Sequence, residues 1–300
     1  MPSSQSETNL IGHVLAPVDF SKRCAATAPY AISLADRFKA RLTFAHVIPG
    51  LPYQGTEKEA FYGPRGEIVS GRELDRYYRS RLDDFVQEAT GNADVGRILL
   101  KGDVSQRIEE YARNSGVDLV VIPTHGYGPF RHMLLGSVAS RILHDLTCAI
   151  FSGVHTAEPP EIPPRFKRVA CALDLGPHSE RVLRWACEFV RVWEASLLLI
   201  HVTPRLEFEV YQPHFVKDDW HDKMAGAGRE AVEQLMERVG CEAHVNVQAG
   251  HPVHSVVAAA ADERADVLII GRGRASEIPS RLTTHAYGII REARCPVISV

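Results

Sequence analysis

The chain is written twice, and that duplication limits the folds open to it more than any other feature. "HVLAPVDFS" (13–21) recurs as "RVACALDLG" (168–176), setting Asp19 and Asp174 155 residues apart. "RLTFAHV" (41–47) recurs as "SLLLIHV" (196–202) at the same offset. "GVDLVVIPTHG" (116–126) matches "RADVLIIGRG" (264–273), and "LTCAIFSGV" matches "ARCPVISV", with Cys148 and Cys295 in register. Four matched segments in one order make two domains, each needing its own core. The expected division is 1–155 and 165–300. "TAEPPEIPP" (156–164) joins them, its prolines favouring an extended linker over a helix.

Within each copy, short β-branched runs alternate with longer segments of helical period. In the first copy strands fit near 11–18, 41–47, 95–100, 118–122 and 148–152. Helices fit near 21–39, 72–90, 105–115 and 137–146. "DLVVIP" and "DVLIIG" are apolar almost throughout, as strands buried on both faces must be. Such alternation predicts an α/β fold, a doubly wound, Rossmann-like parallel sheet in each half. Ligands of these sheets bind beyond the carboxyl ends of the strands, where strand order reverses. Asp19, Val47 and the loop opening at Pro123 follow such strand ends. The closing strands, 148–152 and 296–300, would each leave an apolar edge exposed. The two halves are therefore expected to pair through them as an intramolecular pseudo-dimer.

Composition removes several classes of partner. A chain of 300 residues, 45% hydrophobic and 24% charged with formal net charge -3, has no general attraction for nucleic acid or anionic membrane. No apolar run is long enough to span a bilayer. "MPSSQSETNL" lacks the regions of a signal peptide. The six cysteines are dispersed with no CxxC pair, and most lie in apolar segments. Buried free thiols are expected rather than disulfides or zinc ligands, which fits a cytoplasmic protein.

The stretch "PTHGYGPFRHMLLGSVASRIL" (123–143) carries the strongest chemical signal. It starts as a glycine-punctuated loop and becomes a helix at Gly136-Ser137, an arrangement that can hold phosphate. Pro123 and Pro129 lack the amide hydrogens such a loop donates. Together with "VLAPVDFS", "FAHV" and "KGDVSQRIEEYARNSGVDLVVI", this stretch resembles the universal stress proteins over nearly the whole chain. The excursions 49–71 and 204–225 fall outside the resemblance. It implies open five-stranded sheets, pairing through the last strands and, in one subgroup, binding of ATP or AMP, with magnesium an option beside ATP.

That subgroup carries G, two residues, G, nine residues, G, then S or T. Gly126, Gly136 and Ser137 match its second glycine, third glycine and hydroxyl, and Pro123 stands in place of the first glycine. The resemblance puts Asp19 on the adenine-ribose side and Val47 against the base. Pro17, Val18, Thr124 and Val138 complete the expected lining. In the second copy Asp174 and Val202 match, but "GRGRASEIPSRLTTHAYG" keeps only Thr284 of the G-[S/T] pair. The nucleotide site is expected in the first half alone.

Each candidate also has a plainer role. Gly136-Ser137 could merely start a helix, and Asp19 could cap the helix near Ser21. His46 and His201 end matched strands and read as structural histidines. His251 and His254 have no third ligand nearby in sequence. "HFVKDDWHDK" (214–223) reads as a charged helix start rather than a metal cluster. Tyr77, Tyr78 and Phe85 read as core, and the aromatic region 61–85 as a lid or interface excursion. No nucleophile elbow, serine-rich pyrophosphate loop or HIGH-like histidine pair supports group-transfer chemistry. Nor does any residue present itself as a general base for ATP hydrolysis. Two readings remain, a nucleotide-binding stress or signalling module and a ligand-free structural pseudo-dimer. Homo-oligomer formation is open to either.

Overall fold

A computed structural model describes residues 9–49, 60–62, 68–91, 93–123, 136–153, 160, 163–204, 219–272 and 281–300. The chain divides into two compact units, Met1–Ile150 with His155–Pro164, and Phe151–Val154 with Arg165–Val300. In the first, β1 (His13–Pro17), α1 (Lys22–Phe38) and β2 (Arg41–Ile48) are followed by an antiparallel hairpin, β3 (Ala60–Tyr62) and β4 (Ile68–Ser70). Then come α2 (Gly71–Thr90), β5 (Gly96–Lys101), α3 (Val104–Asn114), β6 (Leu119–Ile122), α4 (Ser137–Asp145) and β7 (Ala149–Ser152). The hairpin lies within the excursion expected at 49–71, much of which is outside the described residues.

The strand order is β7-β6-β1-β2-β5, and β1 pairs in parallel with both β2 and β6. The chain thus builds outward from β1 to β5, then returns to β1's other side, placing the reversal of order between β1 and β6. Helices α1 and α2 pack together, as do α3 and α4. Alternation along β2 sends Phe44 and His46 toward α2, where they meet Phe85 and Tyr78. Ala45 and Val47 therefore face the other helix layer. Val14, Leu15, Phe44, Leu119 and Val120 are wholly inaccessible to solvent and form the centre of the core.

The second unit repeats the plan with β8 (Arg168–Leu173), α5 (Ser179–Trp193), β9 (Ser196–Pro204), α6 (Asp219–Val239) and β10 (His244–Gly250). It ends with α7 (Pro252–Asp262), β11 (Val267–Ile270), α8 (Arg281–Glu292) and β12 (Val297–Ser299). Its order is β10-β9-β8-β11-β12. The two units share small devices as well as topology. Asp118 Oδ2 accepts from the Gly12 and His13 amides at 2.8 and 3.0 Å, bracketing the starts of β1 and β6. Asp266 Oδ2 accepts from the Lys167 and Arg168 amides at 2.7 and 2.8 Å in the same way.

Two expectations need correction. Cys187 and Cys241 are joined in a disulfide between α5 and the end of α6. They lie 54 residues apart in sequence, and helix packing brings their Cα atoms to 6.2 Å, within bridging range. No sequence spacing announces such a pair, and with a disulfide present the cysteines no longer favour a cytoplasmic setting. Tyr77, expected in the core, is 40% exposed, because Leu74, Leu82 and Val86 supply α2's buried stripe. Among the described residues, no helix is long and apolar enough to cross a membrane, and no group of three or more His, Cys, Asp or Glu could hold a metal ion.

Candidate functional site

Beyond the carboxyl end of β1 the chain makes a tight, heavily bonded bend. Phe20 takes a left-handed conformation (φ 61°), turning the chain from strand to helix within a few residues. The preceding Asp19 is exposed, and its Oδ1 accepts from the Ser21 amide at 2.9 Å and from the Cys24 thiol at 2.9 Å. Ser21, not Asp19, is the N-cap of α1, accepting from the Cys24 amide. Asp19 is thus an Asx-turn residue two positions before the cap. Burial, and then the Asp19 charge, push the Cys24 thiol pKa up to about 12, so the sulfur is a hydrogen-bond donor, not a nucleophile.

The second unit repeats the bend with one donor atom changed. Leu175 is left-handed (φ 60°), and Asp174 Oδ1 accepts from the Gly176 amide at 3.0 Å and the Ser179 hydroxyl at 2.8 Å. Serine in one copy and cysteine in the other perform the same donation. Aligning "DFSKRC" with "DLGPHS" puts Cys24 and Ser179 in register, so the correspondence is present in the sequence itself.

Over the bend lies an aromatic stack. His46 Nδ1 is 2.8 Å from the Val18 carbonyl, and His201 Nδ1 is 2.9 Å from that of Leu173. An Nδ1–H donating to each carbonyl ties β2 to the end of β1, and β9 to the end of β8. The His46 ring packs on Phe20 at 4.4 Å and stacks on Tyr78 at 4.8 Å, while the Arg81 guanidinium sits 4.5 Å above Phe20. Its Nε2 is buried with no partner among the described residues. Burial holds the imidazole pKa below its ordinary value, outweighing the Val18 hydrogen bond, and Arg81 lowers it further. The periodicity of α2 predicted apolar packing for Tyr78 and Phe85, yet gave no hint that a histidine would be packed with them.

The other expected residues occupy distinct settings. Val18 and Val47 are buried and Pro17 is half-buried. Gly136 is the N-cap of α4, Ser137 is exposed in its first turn, and Val138 is 38% exposed. Pro123 closes β6 half-buried, while Thr124, Gly126 and Pro129 lie outside the described residues. The helix starts differ in one respect that bears on anions. In the first unit Ser21, Ser70 and Asp103 each cap their helix with a side-chain oxygen, whereas α4 begins at Gly136 with no side-chain cap, as α5 and α7 of the second unit do at His178 and His251. Among the described residues no side-chain oxygen accepts from the first amides of α4, where the positive end of its dipole also lies.

The universal stress protein family profile matches residues 11–151 and again 165–300. The chain belongs to the universal stress protein family. A universal stress protein of Methanocaldococcus jannaschii is 25% identical over 144 residues, covering 47% of this chain and 81% of that protein. Universal stress protein A homolog 1 of Coxiella burnetii is 29% identical over 143 residues, covering 47% of this chain and 94% of its own. Among solved structures, a universal stress protein from Archaeoglobus fulgidus superposes with a TM-score of 0.67 at 19% identity. It covers 97% of both chains, so the tandem α/β architecture is shared end to end.

Proposed function

We infer that this universal stress protein is an adenine-nucleotide-binding stress-response or signalling module, with ATP or AMP held by its first half. The observation that carries the reading is the uncapped start of α4. It follows β6, beside the β1–β6 reversal, where a parallel α/β sheet presents its ligand crevice. In this reading the first α4 amides and the Ser137 hydroxyl receive phosphate oxygens. Gly136 lets them approach without a Cβ, Asp19 addresses the ribose, and Pro17, Val18 and Val47 meet the base. Thr124, Gly126 and Val138 complete the cradle, and magnesium would accompany ATP at its phosphates. The donor set suits a phosphate, being uncharged N–H and O–H groups at a helix start.

One observation favours the ligand-free alternative. Asp174 makes the same bonds as Asp19 in the half whose loop lacks the glycine pattern, so the bend alone gives the aspartate a use. Calorimetric titration of the full chain with ATP and AMP separates the readings. Saturable binding that is weakened at least tenfold by Asp19→Asn supports the nucleotide site. Absence of both heat and thermal stabilisation at millimolar nucleotide leaves the structural pseudo-dimer.

A further inference from the structure

The second unit has a cavity at the amino-terminal end of its strands, the end away from any crevice of the kind described above. Its volume is about 260 Å³. Val257 and Ala260 of α7, Leu268 of β11 and Ala293 after α8 give it an apolar wall. Arg264 and Arg294 also line it, and both are exposed. Neither guanidinium has an ion-pair partner among the described residues. Of the acids nearby in sequence, exposed Asp262 and Glu263 form no ion pair with either arginine among the described residues, and two others are engaged elsewhere. Asp266 accepts the Lys167 and Arg168 amides, and Glu292 pairs with His254 and Arg291.

The duplicate shows that the fold does not require these cations. The matching positions in the first unit are Gly116, two residues after α3, and Thr147, two residues after α4. Gly116 is left-handed (φ 60°), and Arg264 holds the same conformation (φ 51°), which glycine adopts freely and arginine does not. A cation just past a helix end also suits the helix dipole, and α7 has no basic residue in its last turn. That accounts for Arg264 alone, since α8 already carries Arg291 in its last turn. Two arginines lining one cavity are more than helix ends need.

We propose that this cavity binds a small carboxylate with an apolar body, its carboxylate between Arg264 and Arg294 and its body against Val257, Ala260 and Ala293. A guanidinium fork matches a carboxylate in two hydrogen bonds. A phosphate would satisfy the arginines and leave the apolar wall uncovered. The volume falls just below the ~300 Å³ at the small end of ligand pockets, which limits the guest to a short alkyl chain or a single ring.

The test uses the full-length protein and three probes by calorimetry and ligand-observed NMR. These are hexanoate, 1-hexanol (the body without the charge) and inorganic phosphate (the charge without the body). Hexanoate should saturate the protein and bind at least about tenfold more tightly than either control. The double variant Arg264→Gly, Arg294→Thr installs the first unit's residues and should abolish that preference; the single variant Arg294→Gln should reduce it. Equal binding of hexanoate and hexanol, or phosphate as tight as hexanoate, overturns the proposal. So does absence of saturation at millimolar hexanoate. If the arginines serve only the helix ends, the double variant melts at lower temperature with its hexanoate-to-hexanol ratio unchanged, and the proposal fails. ATP titration of the same samples should give the same result in wild type and variants, so this outcome does not depend on the nucleotide reading.

Discussion

The thiol of Cys24 donates to Asp19 Oδ1 at 2.9 Å in the first unit, and the hydroxyl of Ser179 donates to Asp174 Oδ1 at 2.8 Å in the second. Divergence changed the donor atom and kept the bond. Cys24→Ser should therefore be tolerated, with stability within about 0.5 kcal/mol of wild type, while Cys24→Ala removes a donor and costs about 1 kcal/mol. Urea denaturation of the two variants checks the difference. With its pKa pushed up to about 12, Cys24 should also resist iodoacetamide at pH 8, read by mass mapping of native protein.

Two histidines set a pH dependence. His46 is kept below its ordinary pKa by burial. His13 is too, by burial first and also by Arg41, whose guanidinium lies 2.8 Å from Nδ1. A histidine with a depressed folded pKa binds fewer protons folded than unfolded. Its contribution is complete above the unfolded value of 6.5 and is lost as pH falls through the folded value. The melting temperature should thus drop between pH 7.5 and pH 5, above the range where the lowered Glu73, Asp103 and Glu292 carboxyls titrate. His46→Gln should flatten that drop. An unchanged slope in the variant would remove His46 from the account.

The Cys187–Cys241 bridge closes a loop of 54 residues, for which chain entropy predicts about 4 kcal/mol of stabilisation. Cys187→Ser with Cys241→Ser should lower the urea midpoint by a corresponding amount, chiefly in the second unit. Peptide mapping without reductant should recover the linked peptides from wild type.

At α4, stability and binding should part company. Gly136→Asp supplies the missing side-chain cap and favours the helix by a few tenths of a kcal/mol. The same carboxylate would repel a phosphate. On the nucleotide reading, the variant melts no lower than wild type yet loses ATP affinity at least tenfold, measured by thermal denaturation and calorimetry.

Much of this architecture is legible before folding because its signals are local. Strand runs such as "LVVI" and "VLII" are buried on both faces, so their apolar continuity survives in sequence, and the expected elements lie within one or two residues of the observed ones. The placement of the candidate residues was legible only where position on an element settles their surroundings, as for buried Val47 near the end of β2. What depends on tertiary approach was not. Cys187 meets Cys241 because α5 packs on α6, and His46 loses solvent because α2 brings Tyr78 against it and the bend brings Phe20. Tyr77, one residue from Tyr78, falls on the solvent side of the same helix, a difference of rotation that residue type does not encode.

The left-handed Phe20 and Leu175 give the bends an unusual mutational sign. At most positions glycine loosens a chain, but here it would relieve about 1–2 kcal/mol of backbone cost. Phe20→Gly therefore separates two quantities that usually change together. Any net loss of stability measures what the phenyl ring earns between His46 and Arg81, and it does so as a lower bound. Both halves hold bulky residues where glycine would sit more easily, and in the first the packed ring, rather than the turn, gives the bend its present form.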